Sequence, residues 1–148
     1  MGTTINKKIA FFFGHKTRGI ITNSIIALFT LLFIYTATSK IFTFKDFGNV
    51  LYLVPLVGPH HFTVAILIIS LEIIIGVLLI IPFTQKIGLY ATLALLFIFT
   101  IYLSYMISFV EILPCSCGGI TSYLSWKEHI WFNLLLIFLA GTGILTNQ

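Results

Sequence analysis

Four long apolar stretches, separated by short polar gaps, dominate the pattern of hydrophobic and polar positions along the chain. A helix needs roughly 20 residues to cross a hydrocarbon core of about 30 Å, and each stretch is long enough. The predicted spans cover about residues 20–39, 62–81, 87–109 and 126–145. The pattern therefore predicts an all-α integral membrane protein, a four-helix bundle that forms a single transmembrane domain over residues 1–148.

Two of these spans have recognisable ends. Pro82 closes the second span, because proline does not continue a helix. Ser125 and Glu128 fit a capping box, in which Ser125 caps the start of the fourth span.

The segment between the first two spans, residues 41–61, is too long for a tight turn and too broken for another span. Its large apolar residues recur at helical spacing with polar residues between them, which predicts a short amphipathic helix lying in the outer membrane interface. Those apolar residues are Phe44, Phe47, Leu51 and Val54.

Composition agrees with a membrane protein. Apolar residues make up 59% of the chain, charged residues make up 8%, and the mean hydropathy is +1.11, all outside the range of soluble globular proteins. The net charge of +4 comes largely from basic residues just before the first span. We interpret that cluster as a topology signal and expect no nucleic-acid partner.

The distribution of Lys and Arg predicts the orientation. Five of the eight basic residues lie in the N-terminal tail and in the turn at Lys86. Basic residues favour the cytoplasmic side, so both termini are expected to be cytoplasmic. The loop between the third and fourth spans then lies outside, where disulfides form and persist.

That loop holds the only two cysteines, in the run Pro114-Cys115-Ser116-Cys117-Gly118-Gly119. Two thiols this close can form a disulfide, but the small ring has poor geometry and opens easily. The two glycines let the backbone bend around the sulfurs. The residues leave three interpretations open: a redox dithiol, which we favour, half of a metal site, or two incidental small residues.

A metal site would need further ligands beside Cys115 and Cys117, and His60, His61 and His129 are all expected at the outer membrane face. Zinc knuckles usually have two residues between their cysteines, and interfacial histidines are more often simply solvated. The metal site is therefore the weaker alternative.

Glu72 is the one ionisable residue expected deep within a span. Because hydrocarbon makes a charge costly, such a residue is a functional candidate for a proton path or a quinone head group. The structural alternative is a protonated carboxyl group hydrogen-bonded to a neighbouring helix, with Gly76 one turn away to admit close packing.

The order of these features resembles the MauE branch of the DoxX-like membrane proteins over nearly all of the chain after about Ile20. The features are Ser39-Lys40 after the first span, the aromatic amphipathic segment, Glu72-x-x-x-Gly76, the Cys-x-Cys-Gly loop and Asn133. The resemblance implies a four-helix membrane bundle of the general kind seen in DsbB and vitamin K epoxide reductase. It also implies a redox-associated role in forming disulfides in a periplasmic enzyme, alongside a thioredoxin-like partner.

Residue by residue, the resemblance assigns Cys115 and Cys117 to the family's Cys-x-Cys, Gly118 to the glycine that follows it, Glu72 to the second-span acid and Asn133 to the Asn of a fourth-span Arg-Asn pair. The chain departs from the family pattern at three positions. Ser116 and Gly119 replace a Gly and a Phe, and Phe132 replaces the Arg.

These observations predict a multi-pass protein of the bacterial inner (plasma) membrane that acts as a thiol-disulfide oxidoreductase or electron conduit. Cys115 and Cys117 would be its catalytic residues, supported by Gly118, Gly119, Glu72 and Asn133. A thioredoxin-like or exported cysteine-containing protein is the expected partner, and a quinone is a candidate cofactor. The alternatives are a non-enzymatic assembly subunit and a Cys/His metal-handling protein. The sequence gives no indication of oligomeric state.

Overall fold

The computed structural model describes residues 2–54, 57–109 and 126–147, with side chains from residue 17 onward except at positions 126 and 127. The helices are α1 (Gly2–Phe42), α2 (Phe44–Tyr52), α3 (His61–Ile80), α4 (Gln85–Phe109) and α5 (Trp126–Thr146). A 3₁₀ turn at Gly58–His60 leads into α3.

Within the described part of the chain, four helices are long and apolar enough to cross a membrane. The membrane-crossing stretches are Thr17–Phe42, Gly58–Ile80, Gln85–Phe109 and Glu128–Thr146. The predicted all-α class and the four spans are thus confirmed. Pro82 follows the end of α3 by two residues, as expected of a residue that cannot continue the helix. Ser125, the predicted cap of α5, lies outside the described residues.

The four spanning helices pack as an antiparallel bundle in which α1 contacts α3 and α5, and α4 contacts α3 and α5. The upper end of the bundle is the end at which α4 finishes and α3 and α5 begin. At the opposite, lower end the hydroxyl groups of Thr22 and Thr146 form a hydrogen bond of 2.7 Å. The first and last spans therefore meet at the lower end, and its cytoplasmic location stays a prediction.

The core of the bundle is apolar, and so is much of its outside. Buried side chains from all four spanning helices form one cluster, with Phe29 and Leu89 fully buried. Many large apolar side chains are exposed instead, as expected of a surface that faces lipid. These include Leu31, Ile66, Ile98, Ile101 and Phe138.

The short helix α2 packs against α3 rather than lying free. Phe47 and Leu51 of α2 are buried with Ala65 of α3, while Lys45 and Asp46 are exposed. The structure thus has a helix within the predicted amphipathic segment, with its apolar side against the bundle. Its place in the membrane interface stays a prediction.

Gly88 and Gly76 differ in how closely neighbouring atoms approach them. A Cβ atom added at Gly88 would lie 2.9 Å from Leu79 Cδ2 and 3.2 Å from the carbonyl carbon of Leu78. One added at Gly76 would meet only ordinary contacts, 3.8 Å from Ile34 and 3.9 Å from Phe33. We expect Gly88→Ala to lower the free energy of unfolding by about 1–3 kcal/mol through overpacking.

Gly76→Ala is the matched control for this prediction, because alanine favours the helix by about 0.5–1 kcal/mol over glycine and has room here. Denaturation of the purified variants in detergent, followed by circular dichroism, measures both effects. Equal stability of the two variants would show that α3 and α4 do not approach closely at Gly88.

Candidate functional site

A buried ion pair joins α1 to α3. The ammonium group of Lys40 donates a hydrogen bond of 2.6 Å to Glu72 Oε1. The Glu72 side chain is 2% exposed and that of Lys40 is 13% exposed. Charged groups inside a membrane are stable chiefly when they pair with each other, so this contact accounts for both residues together.

The lengths of the helices explain how these two residues meet. Lys40 lies in the last turn of α1, whereas Glu72 lies near the middle of α3. The end of α1 is therefore level with the middle of α3. Above that level α2 takes the place beside α3, with Phe47 and Leu51 packed on Ala65.

A cavity of about 130 Å³ lies next to the ion pair. Its wall is formed by α1, α2, α3, α4 and α5, and it is mostly apolar. The lining residues with polar groups are Thr36, Lys40, Glu72, Tyr102, His129 and Asn133. Its phenylalanine residues are Phe33, Phe47, Phe99 and Phe132.

The cavity extends from the level of Glu72 toward the upper end of the bundle. Phe99 and Tyr102 are within about three turns of the end of α4 at Phe109, and His129 is within one turn of the start of α5 at Trp126. The chain between these two helices, residues 110–125, holds both cysteines. α4 and α5, which form much of the cavity wall, are thus the two helices that precede and follow the cysteine-containing segment in the chain.

Two aromatic rings lie near the Lys40 ammonium group. Its Nζ atom lies 5.6 Å from the centre of the Phe47 ring and 5.7 Å from that of the Phe99 ring. A cation near the face of an aromatic ring is stabilised by the ring quadrupole, more so where water is excluded. Lys40 is therefore held by a carboxylate and two rings from three different helices.

The structure brings together two of the residues assigned by sequence, Glu72 and Asn133, on the wall of one cavity. Both side chains are buried. Glu72 contacts a neighbouring helix, and its partner there is Lys40 of α1. The other assigned residues, Cys115, Cys117, Gly118 and Gly119, lie outside the described residues, and their roles stay predictions.

The three histidines of the metal alternative do not converge. His129 lines the cavity, while His61 packs against the Phe62 ring and places Nδ1 2.7 Å from the carbonyl oxygen of Gly58. His60 ends the 3₁₀ turn before α3. Among the residues whose positions are described, no group of three or more His, Cys, Asp or Glu side chains could hold a metal ion.

The sequence pattern did not assign Lys40 to the site, and the family resemblance included it only within Ser39-Lys40 after the first span. The available signal was the lone acid within a span, which implies a cationic partner at some depth. Phe132, which stands where the resemblance implies Arg, lines the same cavity, so the cation at this wall comes from Lys40 of α1.

Comparison with known proteins identifies one family. The family model of the methylamine utilisation protein MauE matches residues 18–146. No curated protein and no solved structure matches the chain. The matched range contains all four candidate spans except the first residue of the first one, and it includes both cysteines, Lys40, Glu72 and Asn133.

Proposed function

Because this chain belongs to the MauE family of membrane proteins, we propose that it is a membrane thiol-disulfide oxidoreductase or electron conduit. Cys115 and Cys117 cycle between a dithiol and a disulfide at the periplasmic face of a bacterial inner membrane. The protein thereby supports disulfide formation in an exported partner. Because the family is described as a methylamine utilisation protein, we propose that this role is an accessory one in methylamine utilisation, in the maturation of a protein of that pathway.

The observation that carries the proposal is the position of the cavity and of the polar groups that line it. The buried pair of Lys40 and Glu72 lies level with the middle of α3, and the cavity beside it reaches His129, close to the end of the bundle where α4 finishes and α5 begins. A structural ion pair alone does not need an adjoining cavity. Polar groups converging on an apolar cavity are typical of binding and catalytic sites.

The proposed reaction has two balanced steps. In the first, a thiolate of the partner attacks the Cys115–Cys117 disulfide, a mixed disulfide forms, and the partner's second thiol releases it as an oxidised protein. The dithiol form of Cys115 and Cys117 remains. In the second step this dithiol gives two electrons and two protons to an acceptor, either a quinone or the disulfide of a thioredoxin-like protein, and the disulfide returns.

Thiol trapping in intact spheroplasts tests this proposal. A maleimide that cannot cross the membrane and adds a large mass to each thiol would report both cysteines on a gel, since the chain has no others. We expect labelling in the intact cells that rises after treatment with reductant and falls when the reductant is removed. Cys115→Ser should accept at most one label under every condition.

Three outcomes would contradict the proposal. A disulfide that no mild reductant opens would favour a structural staple in an assembly subunit. Thiols that stay free after reductant removal would exclude cycling. Labelling only after lysis would place the cysteines on the cytoplasmic side.

A further inference from the structure

An open groove of about 680 Å³ runs along the outside of the bundle at its lower end. One wall is the part of α1 from Asn23 to Leu31. The other wall is formed by the last residues of α3 and the turn that leads into α4. No residue that lines this groove also lines the cavity beside Lys40 and Glu72. The groove is therefore a separate feature, which we call the lower groove.

The polarity of the lower groove changes along its length. Its lower end carries the side-chain amides of Asn23 and Gln85. Beyond them the wall is apolar apart from Thr30, and Leu31 and Ile80 are exposed in it. A rise of about 1.5 Å per residue places Leu31 about 12 Å deeper in the bundle than Asn23. A phospholipid has its groups in the same order, with a polar headgroup at the membrane surface and acyl chains beneath it.

Basic residues lie at the lower end of this groove. Lys86 follows Gln85 in the first turn of α4, and its side chain is exposed. Lys16 precedes Asn23 by about two turns of α1, so the two positions share a face of that helix. The acidic side chains of the described residues lie at the middle or the upper end of the bundle, and they are Asp46, Glu72 and Glu128. The lower end therefore favours an anionic ligand.

We propose that the lower groove binds an anionic phospholipid. One acyl chain lies along the apolar wall, and the phosphate lies at the lower end. There the amides of Asn23 and Gln85 donate hydrogen bonds to it, and Lys16 and Lys86 balance its charge. This inference goes beyond the proposed function, because it involves neither the cysteines nor the cavity beside the ion pair.

The charges favour a lipid over a second copy of the chain. Two copies inserted in the same orientation would bring the same basic residues, Lys16 and Lys86, to the same end of a shared interface. Like charges that face each other oppose association. An anionic headgroup attracts both residues, while their apolar stems can lie along the groove.

Native mass spectrometry of the full chain in detergent tests the headgroup preference. The two probes are dioleoylphosphatidylglycerol, which is anionic, and dioleoylphosphatidylcholine, which is zwitterionic and has the same acyl chains. Each Lys or Arg near an anionic headgroup contributes about fivefold in affinity. We expect the phosphatidylglycerol to bind at least about tenfold more tightly. Equal affinities would overturn the proposal.

Two adjacent positions on α1 test the place of binding. Ala27 lies in the wall of the groove, whereas Leu28 is 46% exposed on the same helix and is not part of that wall. Ala27→Trp should fill the groove and weaken phosphatidylglycerol binding at least about tenfold. Leu28→Trp should leave binding within about twofold of the parent. Thermal melting identifies a folding defect, and Ala27→Leu then serves as the milder groove-filling variant.

Three basic residues test whether the charge acts at the groove. Lys16→Gln and Lys86→Gln should each weaken phosphatidylglycerol binding about fivefold. Arg18→Gln is the matched control at the same end of the bundle. The carbonyl oxygen of Arg18 accepts a hydrogen bond from Thr22, whose hydroxyl also meets Thr146 of α5, so this side of α1 faces α5 and not the groove. Arg18→Gln should keep binding within about twofold.

The remaining outcomes also decide the proposal. Phosphatidylglycerol binding that is the same in the folded Ala27 variant and in Leu28→Trp would place the lipid elsewhere. An equal loss in Arg18→Gln and Lys86→Gln would indicate general attraction to the basic end and overturn a specific site. The same spectra report oligomeric state, and a dimer lost only in the Ala27 variant would assign the groove to a second copy. None of these results depends on whether the thiols cycle.

Discussion

Replacing Lys40 by methionine should lower the free energy of unfolding by about 3–5 kcal/mol, since removing one partner of a buried ion pair leaves the other charge unpaired. Methionine keeps most of the length and apolar surface of the lysine side chain. The loss therefore reports on Glu72, which is 2% exposed and has no donor on Oε2 among the described residues. Chemical denaturation in detergent micelles, followed by circular dichroism, measures the effect.

Two controls show whether the loss comes from the unpaired carboxylate. Lys45→Met removes a charge from an exposed position on α2 and should change stability by less than about 0.5 kcal/mol. The double variant with Lys40→Met and Glu72→Met removes both charges and should recover most of the loss, as seen when buried ion pairs are replaced by apolar residues. A single Lys40→Met variant as stable as the parent would show that the pair does not form.

Cys115→Ser and Cys117→Ser should each abolish disulfide formation in the exported partner, because a single sulfur cannot form the intramolecular disulfide that the proposed cycle requires. Alkylation of the partner's thiols in cells measures its redox state. The reduced partner should accumulate in either variant. Ser116→Ala is the matched control, since it keeps both sulfurs and their spacing, and it should retain disulfide formation.

One of the two cysteine variants should also capture its partner. The cysteine that the partner attacks forms a mixed disulfide with it. Without the second cysteine of this chain, the mixed disulfide is resolved more slowly and accumulates. A non-reducing gel followed by mass spectrometry identifies the captured protein. Normal oxidation of the partner in both variants would contradict the proposed function and favour an assembly role.

Much of the fold was predictable because lipid imposes a simple rule. A spanning helix must satisfy its own backbone and present apolar side chains to hydrocarbon, so its sequence shows a long uninterrupted apolar stretch. The predicted stretch 87–109 falls within α4, and 126–145 falls within α5. The predicted second span runs one residue past the end of α3 at Ile80. The length of an apolar stretch does not indicate how far the helix continues into the polar residues beside it. For this reason the prediction missed that α1 begins at Gly2, well before the predicted start of its span.

The site was only partly predictable, because it depends on how helices are offset along the membrane normal. Glu72 and Asn133 could be singled out as polar residues in apolar surroundings. That Lys40 reaches Glu72 follows from α1 ending level with the middle of α3, and from α2 filling the space above it. The hydrophobic pattern of the sequence does not indicate how far one helix is offset from another, so it could not predict the cavity between these helices.

The ion pair has a consequence for how the protein enters the membrane. An acidic residue near the centre of an isolated helix opposes insertion by roughly 2.5–3.5 kcal/mol. The span that carries Glu72 has a mean hydropathy of 2.9, against 2.0, 2.0 and 1.7 for the other three described spans. This surplus of leucine and isoleucine helps offset the acid during synthesis. Lys40 precedes Glu72 along the chain, so the cation that pairs with the acid is synthesised before the span that carries it.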